Sequence, residues 1–512
     1  MVRHKMDCFR HICGLKFPKQ YSTMKLGFFR IMLKTMTRAL ALIAIFSSIF
    51  SNSVQAQTPK SIGHDIRFKL KAYQDSTAII AHYYGDNQYI PRDTAKFDSK
   101  GMVQFKGKKE LPEGVYLLVL PKNKYVEFLV GEQVQSLEFD TSDAISTMNV
   151  KEGIENKVFY SYQKTMSSKA KEAQPIKAKL GKTKNADSTA ELKKQLEAID
   201  KEVKAFREKL FAENPKTLAV KLFKAAQEPE VPEIPTLPNG RKDSTFQFRY
   251  YKSHFLDNID LGDDRMVRTP IFHGKIEQYI TKMTLQMPDS INKEADYLLK
   301  KAGKSKEVFK YLVWWITNNY EKSQIMGMDA VFVHMAKNYY LNGKAYWVDS
   351  AVVNKIRDRA KILEPILIGK KAPNMFLTDS SGKLFTLDGF KAKSTVLLFW
   401  ASDCGHCQKE LPKIYEFYEK NKSRGINVYA TCIDRKPDDW KKFIREKKLN
   451  WTNVWDSYVA TDFKNMYDIY STPVIYLLDE NKKILAKRIG AEQLEDFYDN
   501  YFKDKVGKSV RE

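Results

Sequence analysis

Thr395-Val396-Leu397-Leu398-Phe399-Trp400-Ala401-Ser402-Asp403-Cys404-Gly405-His406-Cys407 joins an apolar run to two cysteines spaced by two residues. β-Branched and aromatic side chains dominate 395–400, which reads as a strand. Leu411, Ile414, Tyr415 and Phe417 then recur at helical spacing through Lys420. The first cysteine therefore falls at a helix N-terminus, where unpaired N–H groups and the positive end of the macrodipole favour thiolate. The second is one helical turn away, close enough to close a Cys404–Cys407 disulfide. Strand, Cys-x-x-Cys and helix together predict a redox dithiol.

Cysteine usage outside this stretch agrees. The chain has 512 residues and five cysteines, and Cys8 and Cys13 are expected to leave with a secretory leader over 1–56. Arg30, Lys34 and Arg38 lead into the apolar run 39–50, followed by Ser51-Asn52-Ser53-Val54-Gln55-Ala56-Gln57, which predicts cleavage after Ala56. An uncleaved signal anchor is the alternative, but the apolar run is short for a membrane span. The mature chain keeps Cys404, Cys407 and Cys432, too few to staple an exported scaffold, so the pair is there for chemistry. Cys432 lies in the apolar run 426–433 and reads as a small core residue.

The formal charge is +24; without residues 1–56, 77 basic and 61 acidic residues leave +16. No Arg/Lys patch is interleaved with aromatics, so a Lys-rich solvated surface is expected and nucleic acid is not an expected partner. His254, His273 and His334 lack metal-site spacing. Neither a metal nor a cofactor is expected.

Working outward, 57–150 shows short strands at 78–84, 102–105, 114–120, 125–130 and 136–139 between turns, which predicts a small antiparallel sandwich. Residues 151–368 are helical. Ser188-Thr189-Ala190-Glu191 fits a capping box, and Leu192, Leu196, Ile199, Val203, Phe206 and Leu210 form a seam expected to pack in an antiparallel helix pair. Pro229, Pro232, Pro235 and Pro238 mark an extended connector over 228–239. From 369 to 505 strands alternate with helices and close in a hairpin and a helix, a mixed α/β sheet. The expected class is multidomain: leader, β-sandwich-like domain, helical domain and C-terminal α/β domain.

With Ala372-Pro373, Phe399-Trp400-Ala401-x-x-Cys404-Gly405-His406-Cys407 and Ser471-Thr472-Pro473 in place, residues 369–505 resemble the exported TlpA/ResA-type branch of the thioredoxin fold, grouped with the AhpC/TSA family. The three-part layout resembles exported Bacteroidetes proteins with a β-rich and a helical domain before that fold. The resemblance implies a periplasmic thiol–disulfide oxidoreductase in which Cys404 is the nucleophile and Cys407 resolves the mixed disulfide. It implies a cis bond at Thr472-Pro473, which together with Trp400 would meet substrate, and a proton-handling, pKa-tuning role for Glu410. Exported proteins with thiols or disulfides would be substrates, and a membrane or periplasmic redox partner would recycle the pair.

Departures from the pattern set the tuning. Leu398 stands where cytosolic thioredoxins have a buried Asp, Asp403 adds a negative charge before the dithiol, and Gly405-His406 gives the Cys-Gly-His-Cys of disulfide isomerases. The contrast between about −270 mV for thioredoxin and −180 mV for the isomerase is roughly 4 kcal/mol, so the direction of electron flow stays open. A peroxiredoxin would need Pro at 397 and Thr or Ser at 401, where Leu397 and Ala401 stand. A Cu(I) carrier using His406 and both cysteines lacks a further ligand. A non-enzymatic scaffold with a regulatory dithiol is the remaining alternative.

Overall fold

The computed structural model describes residues 63–509 except 71, 72, 74, 75, 87, 435 and 436. The leader, its cleavage point after Ala56, Cys8 and Cys13 lie outside the described residues.

The first strands are β1 (His64–Leu70), β2 (Thr77–Tyr84), β3 (Gln88–Lys96) and β4 (Met102–Gly107). They are followed by β5 (Gly114–Leu120), β6 (Lys124–Val130), β7 (Val134–Phe139), the short α1 (Ala144–Thr147) and β8 (Asn149–Glu152). They make two four-stranded sheets, β4-β1-β7-β8 and β3-β2-β5-β6. Phe68 of one sheet meets Phe128 of the other edge to face, with centroids 5.0 Å apart. The expectation of a wholly antiparallel sandwich is corrected, because β1 runs parallel to β7, Ile66 opposite Gln135. The long excursion through the second sheet supplies the crossover that a parallel pair requires.

The helices that follow are α2 (Ile154–Leu180), α3 (Ala186–Glu213), α4 (Leu218–Ala225), α5 (Phe246–His254), α6 (Phe272–Glu277), α7 (Pro288–Lys301) and α8 (Lys306–Glu321). Two more, α9 (Asp329–Met335) and α10 (Ser350–Leu363), complete the set. α2 and α3 form the expected antiparallel pair: Tyr162 stacks on Phe211 and Lys169 bridges to Glu202. The proposed capping box is corrected; the cap is Asn185, whose side chain accepts from the Ser188 N–H at 2.9 Å. Asn is as good an N-cap as Ser, and it lies closer to the turn.

Sandwich and helices share one continuous core, from Ile66 and Phe68 through Phe272, Leu312 and Tyr340. Gly85 shows how close they come. It has φ +56°, and a Cβ there would sit 2.0 Å from the Tyr311 ring of α8. His273 donates to or accepts from the Tyr311 hydroxyl at 2.8 Å, and His334 meets Asp296 at 2.9 Å.

The C-terminal part contains β9 (Phe376–Thr378), β10 (Leu384–Thr386), β11 (Ser394–Trp400), α11 (Gly405–Asn421), β12 (Ile426–Cys432), α12 (Pro437–Lys447) and β13 (Thr452–Trp455). It closes with α13 (Phe463–Tyr467), β14 (Val474–Asp479), β15 (Ile484–Lys487) and α14 (Leu494–Ser509). The sheet order is β10-β9-β13-β12-β11-β14-β15. β11 pairs parallel with β12 and antiparallel with β14, and all seven of its residues are buried. Strand alternation sends Val396, Leu398 and Trp400 to one face, with α11, α12 and α14. Leu397 and Phe399 go to the other, whose core also holds Phe332, Val333, Ala336, Ala360 and Leu363 from α9, α10 and the turn between them. Lys487 ties the same seam, donating to Asp329 and, at 2.9 Å, to the Ile366 carbonyl.

Candidate active site

The parallel strands β11, β12 and β13 deliver their C-terminal ends to one edge of the sheet, and antiparallel β14 starts there. A buried strand feeding a helix through a tight turn thus places that helix N-terminus over this edge. The turn is pinned from the next strand: the Ser402 N–H donates to Asp434 Oδ2 at 2.6 Å, and the Ser402 hydroxyl donates to the same oxygen. Trp455 Nε1 donates to the Asp434 carbonyl at 2.7 Å, and Gln408 Nε2 to the Ser402 carbonyl at 3.1 Å.

Cys404 is the N-cap of α11, and its Sγ accepts the Cys407 N–H at 3.2 Å. From the opposite side the Thr472 carbonyl accepts from Cys404 Sγ at 3.2 Å, and the Thr472–Pro473 bond is cis. Cys404, Cys407 and Cys432 are free thiols, so this is the dithiol form. Cys404 is half-buried and Cys407 fully buried beneath it, beside Leu398, Leu411 and Ile414.

Burial, the largest single influence on Cys404, pushes its thiol up. The Cys407 thiol, the Thr472 side chain and the N–H groups of Cys407 and His406 together outweigh it, and the net shift is downward from 9.0. Cys407 moves the other way, raised first by burial and then by its neighbour Cys404. Cys432 is raised by burial and is a core residue opposite Trp400 in the sheet. One thiol is primed and reachable; the other is masked.

The remaining expected site residues separate. Asp403, Gly405 and His406 are exposed around Cys404, and a Cβ on Gly405 would meet nothing within 4 Å. Glu410 is bound to Lys413 Nζ at 2.8 Å, on the next turn of α11 rather than at either sulfur. Trp400 is corrected: it was expected to meet substrate, yet it is fully buried with its ring against Phe443, centroids 5.2 Å apart. Its place two residues beyond Leu398 on β11 turns it to the α11 face. Sequence reasoning missed Asp434 and Ser402, although a carboxylate just past an apolar strand beside the cysteine-bearing one was a usable signal.

A thioredoxin-type sheet, an N-capping cysteine, a buried second thiol and a facing Thr-Pro loop define a thiol–disulfide oxidoreductase of the thioredoxin fold. Comparison with known proteins gives the family. The AhpC/TSA family model matches residues 368–487, and two domains of unknown function, DUF5106 and DUF4369, match 188–364 and 65–159. The thiol-disulfide oxidoreductase ResA of Bacillus cereus is 34% identical over 137 residues, which are 26% of this chain and 78% of that protein. ResA of Bacillus subtilis is 29% identical over 122 residues, 24% of this chain and 67% of that protein. Among solved structures, a domain of a possible thiol-disulfide isomerase from Cytophaga hutchinsonii is 54% identical, covering 28% of this chain and 97% of its own, with TM-score 0.27. A thioredoxin-like protein from Bacteroides caccae is 18% identical, covering 52% of this chain and 98% of its own, with TM-score 0.41. The chain belongs to the ResA-like thiol-disulfide oxidoreductases of the AhpC/TSA family, extended by a β-rich and a helical N-terminal region.

Proposed function

We propose that the protein exchanges disulfides with exported proteins in the periplasm through its Cys-Gly-His-Cys dithiol. The observation that supports this best is the asymmetry of the pair: Cys404 Sγ caps α11 opposite the Thr472 carbonyl while Cys407 lies buried behind it.

In the reducing direction the Cys404 thiolate attacks one sulfur of a substrate disulfide. A Cys404–substrate disulfide forms, and the other substrate sulfur leaves as a thiolate that takes up a proton. Cys407 then gives up its proton and attacks Cys404 Sγ, releasing the second substrate thiolate. The substrate gains two electrons, and the chain ends as a Cys404–Cys407 disulfide. The oxidising direction is the reverse. The exposed edge of the Thr472–Pro473 loop offers extended substrate backbone a place beside Cys404. Asp403 and His406 flank the sulfur and set its charge environment, and Glu410 acts on the pair as a nearby charge held by Lys413. A periplasmic or membrane redox partner would restore the starting state. Among the described residues no helix is long and apolar enough to cross a membrane.

Reduction of insulin disulfides by the full chain tests this, with the reverse reaction followed on a reduced protein substrate. Exchange in at least one direction, lost in Cys404→Ser, is expected. Absence of exchange in both directions would overturn it.

A further inference from the structure

The Thr472–Pro473 loop is held at its far end by β14. At its near end stands Asp468, which ends α13 in the left-handed region at φ 56°, ψ 43° and is only 2% exposed. A carboxylate this deeply buried is costly unless fully paired. Two guanidinium groups pair it. Arg488, just after β15, donates through Nη2 to Asp468 Oδ2 at 2.6 Å and to the Asp468 carbonyl at 2.7 Å. Arg359 takes both carboxylate oxygens, Nη1 to Oδ1 and Nη2 to Oδ2, the second at 3.2 Å.

Arg359 does not come from the redox module. It stands on α10, whose Ala360 and Leu363 pack in the same core as Tyr467, Ile469 and Val474 on either side of the loop. Asp468 is four residues from Thr472, a separation of at most about 14 Å of extended chain, so its placement is felt directly at the carbonyl facing Cys404. A planar two-point bond fixes orientation as well as distance.

We propose that Arg359 is a positioning residue for disulfide exchange: from the helical region it clamps Asp468 and so sets the Thr472–Pro473 loop against Cys404. The inference rests on the exchange activity proposed above. It makes the helical region part of the active-site frame, and it predicts that the redox module works differently when that clamp is cut.

The test uses the full chain carrying Arg359→Ala, Arg359→Lys or Asp468→Asn, with Lys355→Ala, at an exposed position of the same helix, as control. Three readouts are taken: KM and kcat for a disulfide-containing protein, the pH titration of the Cys404 thiolate by its ultraviolet absorbance, and thermal melting. Arg359→Ala is expected to raise KM about fivefold or more with kcat changed less than about twofold, since uniform substrate positioning is what it loses. The Cys404 titration should shift from the parent's, because the loop that carries the Thr472 carbonyl and side chain is no longer held against the sulfur. Arg359→Lys, with charge but no planar fork, should fall between parent and alanine. Parent-like KM and titration in folded Arg359→Ala would overturn the clamp. Should that variant not fold, parent-like values in both Arg359→Lys and Asp468→Asn would overturn it instead. A parent chain with no exchange activity would defeat the functional reading, while the Cys404 titration would still decide the clamp.

Discussion

The two faces of the seven-stranded sheet are built from different parts of the chain. The face under the dithiol is covered by its own module: Cys407, Leu411, Ile414 and Phe417 of α11, Trp440 of α12, and Leu494 and Tyr498 of α14. The opposite face is covered from its own module by the short α13 and by Met375, Leu387 and Phe390 of the loops around β9 and β10, and is completed by Phe332, Val333, Ala336, Ala360, Leu363 and Ile366. One face carries chemistry, and the other carries the attachment to the rest of the protein. A boundary near 368 in composition and in family matches is therefore not a boundary in the core.

The largest effect that would test this contrast is on the attachment face. Phe332 is 1% exposed in the shared core. Phe332→Ala should cost about 3–5 kcal/mol, seen in denaturant melts, while disulfide exchange at low temperature persists. If the redox module instead kept its full stability, the shared core would be a mere contact. On the other face the dissociation should reverse: Cys404→Ser should lower exchange by more than about a hundredfold, because a hydroxyl cannot replace the thiolate. Its melting temperature should stay near the parent value.

A middle-sized effect is expected at Lys487, 5% exposed and bound to Asp329 across the seam. Burial, the largest cause, lowers its pKa from 10.5, so the folded chain binds fewer protons than the unfolded one between the lowered value and 10.5. Stability contributed by this group therefore rises with pH across that window. Lys487→Met should remove that slope. It should also cost about 1–3 kcal/mol at neutral pH, because it leaves Asp329 unpaired, though in the first turn of α9, where a carboxylate is tolerated. A slope identical to the parent's would show that Lys487 is not the titrating group.

The smallest is Glu410→Gln. Its pair with Lys413 is of the helix-surface kind worth about 0.3–0.5 kcal/mol, and stability should barely move. Exchange should change less than about tenfold across pH 6–9, as expected of a nearby charge that makes no bond to sulfur. A larger loss would make Glu410 the proton carrier for Cys407.

The dithiol face was legible in the sequence because its information is local. Strand, Cys-x-x-Cys and helix are contiguous, and the α11 stripe starting at Cys407 repeats at helical spacing. The attachment face was not. The apolar periodicity near 328–341 says that a helix is buried, but nothing in it says that Phe332 joins the core of the seven-stranded sheet and that Met335 faces the other core. Arg359 and Asp468 lie 109 residues apart, and neither stands in a recognisable motif. β3 escaped notice because Pro91, Arg92 and Asp93 break its pattern. It is an edge strand, and Pro91 sits at a register shift opposite Ala81, where a missing N–H is tolerated. Trp400 misled because its neighbour is the active cysteine turn, whereas the period of two along β11 already assigned it to the core with Val396 and Leu398.

The central claim is the division of labour between the two thiols. Its most direct measurement is covalent trapping: full-length Cys407→Ser and Cys404→Ser are each mixed with a disulfide-containing protein, and the adducts are mapped by mass spectrometry. The account predicts a stable mixed disulfide through Cys404 in Cys407→Ser and none through Cys407 in Cys404→Ser. Equal trapping by both variants, or trapping through Cys407 alone, would contradict it.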